Sequence, residues 1–204
     1  MPPRFVAQQL SHPTGLVGRL MGRLMNRHNA RLNAFALKQL TLGPQERLLE
    51  IGFGGGVMLE VLLDRAGYVA GVDRSRVMVE RARTRFRSAV ESGRAEFLEG
   101  TVEAMPLAAG AFDKAVTVNT IYFWPSLELA FREIARVLRP GGRLVVGFLP
   151  KVHMDRMKMP ADIFTPRTPE EVSAALQGTG FREVHIERPA PQTAWNVLIA
   201  IAEG

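Results

Sequence analysis

The chain has 204 residues, enough for one α/β domain, and its 47 % apolar and 23 % charged content is that of an ordinary globular protein. It contains no cysteine, which excludes disulfides, a thiolate nucleophile and a Cys-ligated metal. The formal net charge is +6, a balance that suits either a solvated basic surface or an acidic partner such as RNA or anionic lipid. No apolar run approaches the roughly 18 residues of a membrane span, and Met1-Pro2-Pro3-Arg4 lacks a signal-peptide pattern, so a cytoplasmic location is the expectation.

Residues 1–13 carry Pro2, Pro3 and Pro13 without periodicity and read as a tail. Residues 14–40 read as helical, with Leu16, Leu20, Leu24, Met25, Leu32, Phe35, Ala36 and Leu40 at helical spacing. Gly43-Pro44 closes this lead-in. Strands and helices then alternate. Arg47–Ile51 is a short apolar strand, followed by a helix from Val57 to Ala66. Tyr68–Val72 is a second strand, after which Ser75 caps a helix running to Ser92. Ala95–Leu98 and Phe112–Val118 are further strands, and Leu127–Leu138 is a helix. Pro140-Gly141-Gly142 predicts a tight turn into a fifth strand, Arg143–Phe148. Four prolines between 150 and 169, with Met154, Met157 and Met159, predict a loop or lid. Thr168-Pro169-Glu170-Glu171 opens a last helix that ends at Gly178 or Gly180. Phe181–Glu187 and Ala194–Ala202 complete the chain as a strand pair. This rhythm predicts βαβ units, a mostly parallel sheet and right-handed crossovers.

The first strand runs into Glu50-Ile51-Gly52-Phe53-Gly54-Gly55-Gly56. A glycine-rich turn between strand and helix lets backbone approach a ligand closely. A dinucleotide loop has the form G-x-G-x-x-G/A, and counting from Gly52 its last position falls on Val57. The second strand ends at Asp73, where a carboxylate is placed to accept hydrogen bonds from ribose hydroxyls. A helix-start charge is the plain alternative for Asp73.

The segments Glu50-x-Gly52-x-Gly54-x-Gly56, Asp73 and Arg139-Pro140-Gly141-Gly142-Arg143-Leu144 resemble the class I S-adenosylmethionine-dependent methyltransferase family, in its small-molecule, type 11-like branch. The resemblance covers residues 45–150 well and the remainder loosely. It implies a Rossmann-like methyltransferase fold: a doubly wound, mostly parallel seven-stranded α/β sheet whose last strand is antiparallel. Residues 1–43 would form a tail and helical lid over a cofactor-binding domain at 44–204, the two making one compact unit. It implies S-adenosylmethionine as cofactor, leaving as S-adenosylhomocysteine. The Gly52–Gly56 loop, with Phe53, would face the methionine moiety. Glu50 would anchor the loop or reach the cofactor's amino group, and Asp73, beside Arg74, would hold the ribose. Met78 would pack on adenine, unless it is plain helix core. The third strand ends in Glu99-Gly100-Thr101-Val102-Glu103, where the family often has Gly-Asp-Ala. Thr101 stands in the Asp position, so Thr101, Val102 or Glu103 must supply the adenine contact.

The fourth strand leads into Val118-Asn119-Thr120-Ile121-Tyr122-Phe123-Trp124-Pro125, the topological position for ligands in open α/β sheets. Asn119 is placed on the cofactor. Tyr122 and Trp124, with Met154, are the expected walls of a substrate pocket; core packing is the alternative for each. Amino-group nucleic-acid methyltransferases carry Asn/Asp-Pro-Pro-Tyr/Phe here, and Thr120 and Ile121 replace both prolines. Methyl transfer from a sulfonium needs orientation and desolvation more than acid–base groups. Where the acceptor must lose a proton, His28, Tyr122 and His153 are the candidate bases. His185 sits on the outward face of a late strand. No acidic or His/Asp grouping has metal-ligand spacing, so no metal is expected. The expected activity is methyl transfer to O, N or C of a small hydrophobic or aromatic metabolite, by a monomer or homodimer. The alternatives are an RNA methyltransferase that uses the Arg-rich faces at 19–31 and 74–87, or a non-catalytic cofactor-binding protein.

Overall fold

The computed structural model describes residues 29–189 and 194–203. The tail, the helix expected over 14–28, His28, and Arg19, Arg23 and Arg27 lie outside the described residues. Within them, residues 29–40 are helical (α1), and β1 (Arg47–Ile51), α2 (Val57–Arg65), β2 (Tyr68–Asp73), α3 (Arg76–Arg85), α4 (Arg87–Glu91) and β3 (Ala95–Glu99) follow. The second half holds β4 (Phe112–Val118), a 3₁₀ turn (Ile121–Phe123), α5 (Leu127–Val137), β5 (Leu138–Phe148), α6 (Lys151–Met157), α7 (Pro169–Gln177), β6 (Phe181–Glu187) and β7 (Asn196–Ala202). Among the described residues no helix is long and apolar enough to cross a membrane.

The seven strands form one sheet in the order β3-β2-β1-β4-β5-β7-β6. All neighbouring pairs are parallel except the two made by β7. The chain steps outward from β1 to β3, then returns to start β4 on the other side of β1. That reversal opens a crevice at the C-terminal ends of β1 and β4. Both sheet faces are covered, which explains the unbroken apolar runs of the central strands. Alternate residues of one strand serve opposite cores. Leu48 and Val116 pack with Leu32, Leu59, Leu62 and Val79, while Leu49 and Ala115 pack with Phe131, Ile134 and Leu176.

Four local expectations are corrected. The helix expected from Ser75 to Ser92 breaks at Phe86, whose ring turns in against Phe97 at 5.8 Å between centroids. Ser75 does not cap α3 with its hydroxyl; its own N–H is held by Asp73 instead. Pro140-Gly141-Gly142 is no separate turn but a bulge inside β5, where pairing jumps from Phe112↔Leu138 to Lys114↔Arg143. The loop expected over 150–169 contains α6, because Pro150 stands at its N-cap and Met154 drops into the core beside Phe164. Thr168, by contrast, caps α7 in a full capping box with Glu171. β6, at the sheet edge, carries a second irregularity: its register with β7 shifts between Arg182 and His185, and Glu183 has φ 51°.

Much of the Arg-rich segment is engaged within the fold. Arg76 pairs with Glu80 at 3.0 Å, Arg85 with Glu60, and Arg83 Nε donates to the carbonyl of Phe97 at 2.9 Å. On the opposite side of the sequence, Leu32, Ala36 and Leu40 of α1 are fully buried, so the described part of this helix belongs to the core. Leu32→Ala is expected to lower unfolding free energy by about 2–5 kcal/mol, the range for a truncated core leucine, measured by urea denaturation.

Candidate functional site

A cleft of about 330 Å³ opens along the C-terminal edge of the sheet. The loop after β1 contributes Glu50 to Gly55, and the turn after β2 contributes Asp73, Arg74 and Ser75. The end of β3 adds Gly100 to Glu103, and the end of β4 adds Asn119, Thr120, Phe123 and Trp124. Four strand ends thus wall a single site, and α1 adds Asn29 and Asn33 to its lining.

The glycine loop has a steric cause. Gly52 has φ 71°, and a Cβ there would stand 2.4 Å from Cγ2 of Thr120. Its N–H donates to the carbonyl of Val72 at 2.7 Å, which stitches the loop to β2. Asp73 makes the second stitch. Its Oδ2 accepts from Gly54 N–H and its Oδ1 from Ser75 N–H, both at 2.8 Å. Gly56 lies outside the cleft wall: it is the left-handed N-cap of α2, with φ 68°, and shapes the loop from behind.

Among the described residues, three buried polar atoms on the cleft wall have no protein partner: Glu50 Oε2, Ser75 Oγ and Glu103 Oε1. Burial pushes the Glu50 carboxyl up to about 8, and the neighbouring Asp73 carboxylate adds to the rise. A wall with orphaned acceptors is built for a ligand that brings donors. Met78 is 5 % exposed and lines the same wall with Val102, while Thr101 is exposed at the rim.

At the β4 end, Trp124 and half-buried Phe123 line the cleft, and exposed Arg74 lies over the Phe123 ring at 5.4 Å. Tyr122 points the other way. Its ring packs in the core, its hydroxyl accepts from Leu149 N–H and donates to Asn119 Oδ1 at 3.1 Å, and burial raises its pKa. Neither as a base nor as a pocket wall does Tyr122 reach the cleft. Met154 is a core residue for the same reason of packing, and His153 lines a separate polar recess with Lys151 and Arg188. His28 falls outside the described residues. Sequence reasoning missed Ser75 Oγ, Asn29 and Asn33. The two asparagines were findable: at i and i+4 they lie one step around the helix from Leu32 and Ala36.

The sequence pattern described as a methyltransferase domain matches residues 49–146. An uncharacterized methyltransferase of Bacillus subtilis is 27 % identical over 173 residues, covering 82 % of this chain and 89 % of that protein. A SAM-dependent methyltransferase from Thermotoga maritima superimposes with a TM-score of 0.69 at 25 % identity, over 96 % of this chain and 97 % of its own. The chain is an S-adenosylmethionine-dependent methyltransferase. Its cofactor is S-adenosylmethionine. An O-methyltransferase of Pyrenophora dematioidea is 30 % identical over 120 residues, but this methyltransferase spans only 45 % of that relative's length.

Two outcomes follow from the cleft. Gly52→Ala is expected to weaken S-adenosylhomocysteine binding at least about 10-fold by calorimetry, since a side chain there is strained in φ and meets Thr120. Adding Thr120→Ser removes the clash and restores part of the loss. Glu50 generates the second. The unfolded chain ionises this carboxyl near 4.5 and the folded chain near about 8, so between those values the folded state holds more protons. The group's contribution to stability is therefore intact below about pH 4.5 and is lost as pH rises through about 8. Melting curves of the ligand-free protein should fall over that window, and Glu50→Gln should flatten the fall and melt higher at pH 8.

Proposed function

We propose that this methyltransferase moves a methyl group to O, N or C of a small hydrophobic or aromatic metabolite. The observation that carries the reading is the pairing of Phe123 and Trp124 with the glycine loop on the wall of one cleft. Aromatic faces bury flat apolar substrates and attract positive charge.

The orphaned acceptors fit the cofactor. Glu50 Oε2, unpartnered and buried, matches an ammonium. Asp73, which holds the loop through both oxygens, stands at the end of β2, where a carboxylate meets ribose hydroxyls. Glu103 Oε1, with the backbone of Val102 and the rim hydroxyl of Thr101, faces the space left for adenine, and Met78 supplies the apolar floor. Gly52, Phe53 and Gly54 bound the methionine end with Asn119 beside them, Arg74 stands next to Asp73 at the ribose, and Gly56 sets the loop's shape. When bound, the cofactor supplies an electrophilic methyl on a sulfonium. The chain's own share is orientation and exclusion of water: Trp124 and Phe123 cover one side, and α1, the described end of the region 1–43 that we take as a cover, closes the other.

Calorimetry should show S-adenosylhomocysteine binding to the wild type, weakened by at least about 10-fold in Asp73→Ala, the loss of one or two charge-assisted bonds. A panel of phenols, amines and aromatic acids incubated with S-adenosylmethionine should then yield a methylated product by mass. A wild type that fails to bind S-adenosylhomocysteine would overturn the reading.

A further inference from the structure

The end of β4 holds a hydrogen-bond chain that serves the cleft from behind. Asn119 has φ 59°, a left-handed conformation that asparagine tolerates better than most residues. Its backbone N–H is fixed to the carbonyl of Gly147 at 2.8 Å. Its side chain is fixed by Tyr122, and the direction of that bond follows from proton counting. Leu149 N–H can only donate, so it takes a lone pair of the Tyr122 hydroxyl. The hydroxyl has one proton, and it goes to the Asn119 side chain at 3.1 Å. Burial keeps that proton on Tyr122 by raising the pKa of the phenol. The atom that receives it must be Oδ1. The amide nitrogen Nδ2 is therefore the free end, and among the described residues it has no partner. Asn119 lines the cleft with Glu50 and Gly52.

The register locates this donor. Glu50 pairs with Val116 and Ile51 with Thr117, so the next step sets Gly52 beside Val118, and Asn119 follows directly at the same edge of the neighbouring strand. A ligand whose ammonium meets Glu50 must place any carboxylate on the same α-carbon within this small region. Asp73 is an anionic acceptor that repels a carboxylate, and Glu50 is taken by the ammonium. Nδ2 of Asn119 is a donor held in a fixed direction.

We propose that Asn119 Nδ2 binds the carboxylate of the cofactor's amino-acid end, and that Tyr122 is the positioning residue that keeps the amide from flipping. This assignment rests on the cofactor reading above. Glu50 and Asn119 then grip the two charges of one zwitterion with opposite chemistry, and the tyrosine works through Asn119 without touching the ligand.

Two probes separate this role from a merely structural one. S-adenosylhomocysteine carries the amino-acid end; 5′-methylthioadenosine has the same nucleoside and sulfur without it. Asn119→Ala should weaken S-adenosylhomocysteine about 10-fold or more and leave methylthioadenosine within about twofold of wild type. Asn119→Asp should lose more, since the donor becomes a charge of the wrong sign. Tyr122→Phe should reproduce part of the Asn119→Ala loss, and the double variant should be no weaker than Asn119→Ala alone, because one variant acts through the other. Asn119→Ala leaves the Leu149–Tyr122 bond intact, so it reads the contact even if Tyr122→Phe folds poorly. Equal losses for both probes, unchanged S-adenosylhomocysteine affinity in Asn119→Ala, or additive losses in the double variant would overturn the proposal. A wild type that binds methylthioadenosine but not S-adenosylhomocysteine would overturn it as well. A wild type that binds neither probe would overturn the cofactor reading, and this inference with it.

Discussion

One carboxylate organises the cleft. Asp73 accepts from Gly54 N–H with one oxygen and from Ser75 N–H with the other. These two bonds join the loop after β1 to the turn after β2, so the two strand ends move as one wall. The loop's left-handed glycines are held by Asp73 and Val72 on one side, and on the other Thr120 leaves no room for a side chain at Gly52. Hydrogen bonds to a charged acceptor are about twice as strong as neutral ones, which suits a position that must hold shape before any ligand arrives.

The same site is costly to keep. Glu50 is buried beside Asp73 with one oxygen unpartnered, and it responds by holding its proton to about pH 8. An arrangement selected for stability alone would not place two carboxyls together under an apolar wall. Function explains the conflict, since unsatisfied acceptors are what a donor-bearing ligand needs. Polar groups left short inside an otherwise well-packed core are where local rules fail for a reason.

The sheet was legible in the sequence because its signals are strong and local. Alternating apolar strands and helices, the glycine loop and Asp73 stand where the structure has them. The errors came from tertiary packing. Phe86 breaks a helix because Phe97 offers its ring a place, and Met154 is core because α6 forms where four prolines read as a loop. Tyr122 shows the limit most clearly. Three aromatics in a row looked equivalent, yet the 3₁₀ turn at Ile121–Phe123 sends Phe123 to the cleft and Tyr122 to the core. A turn of three residues is too short to read from periodicity. The Asn29 and Asn33 pair was within reach of a helical wheel, while the orphaned Ser75 hydroxyl depends on contacts that no spacing encodes.

The irregular edge strand matters beyond the site. A parallel sheet that ends in a flat strand offers its bare N–H and carbonyl groups to any other extended chain. Here the outer strand is β6, and the kink at Glu183 interrupts its ladder between Arg182 and His185. Its outward residues include Arg182, Glu183, His185 and Glu187, all exposed. A second chain laid along this border would find broken register and charge instead of a template. The kink thus acts as a stop on the sheet's growth at this border, one of the two the sheet has.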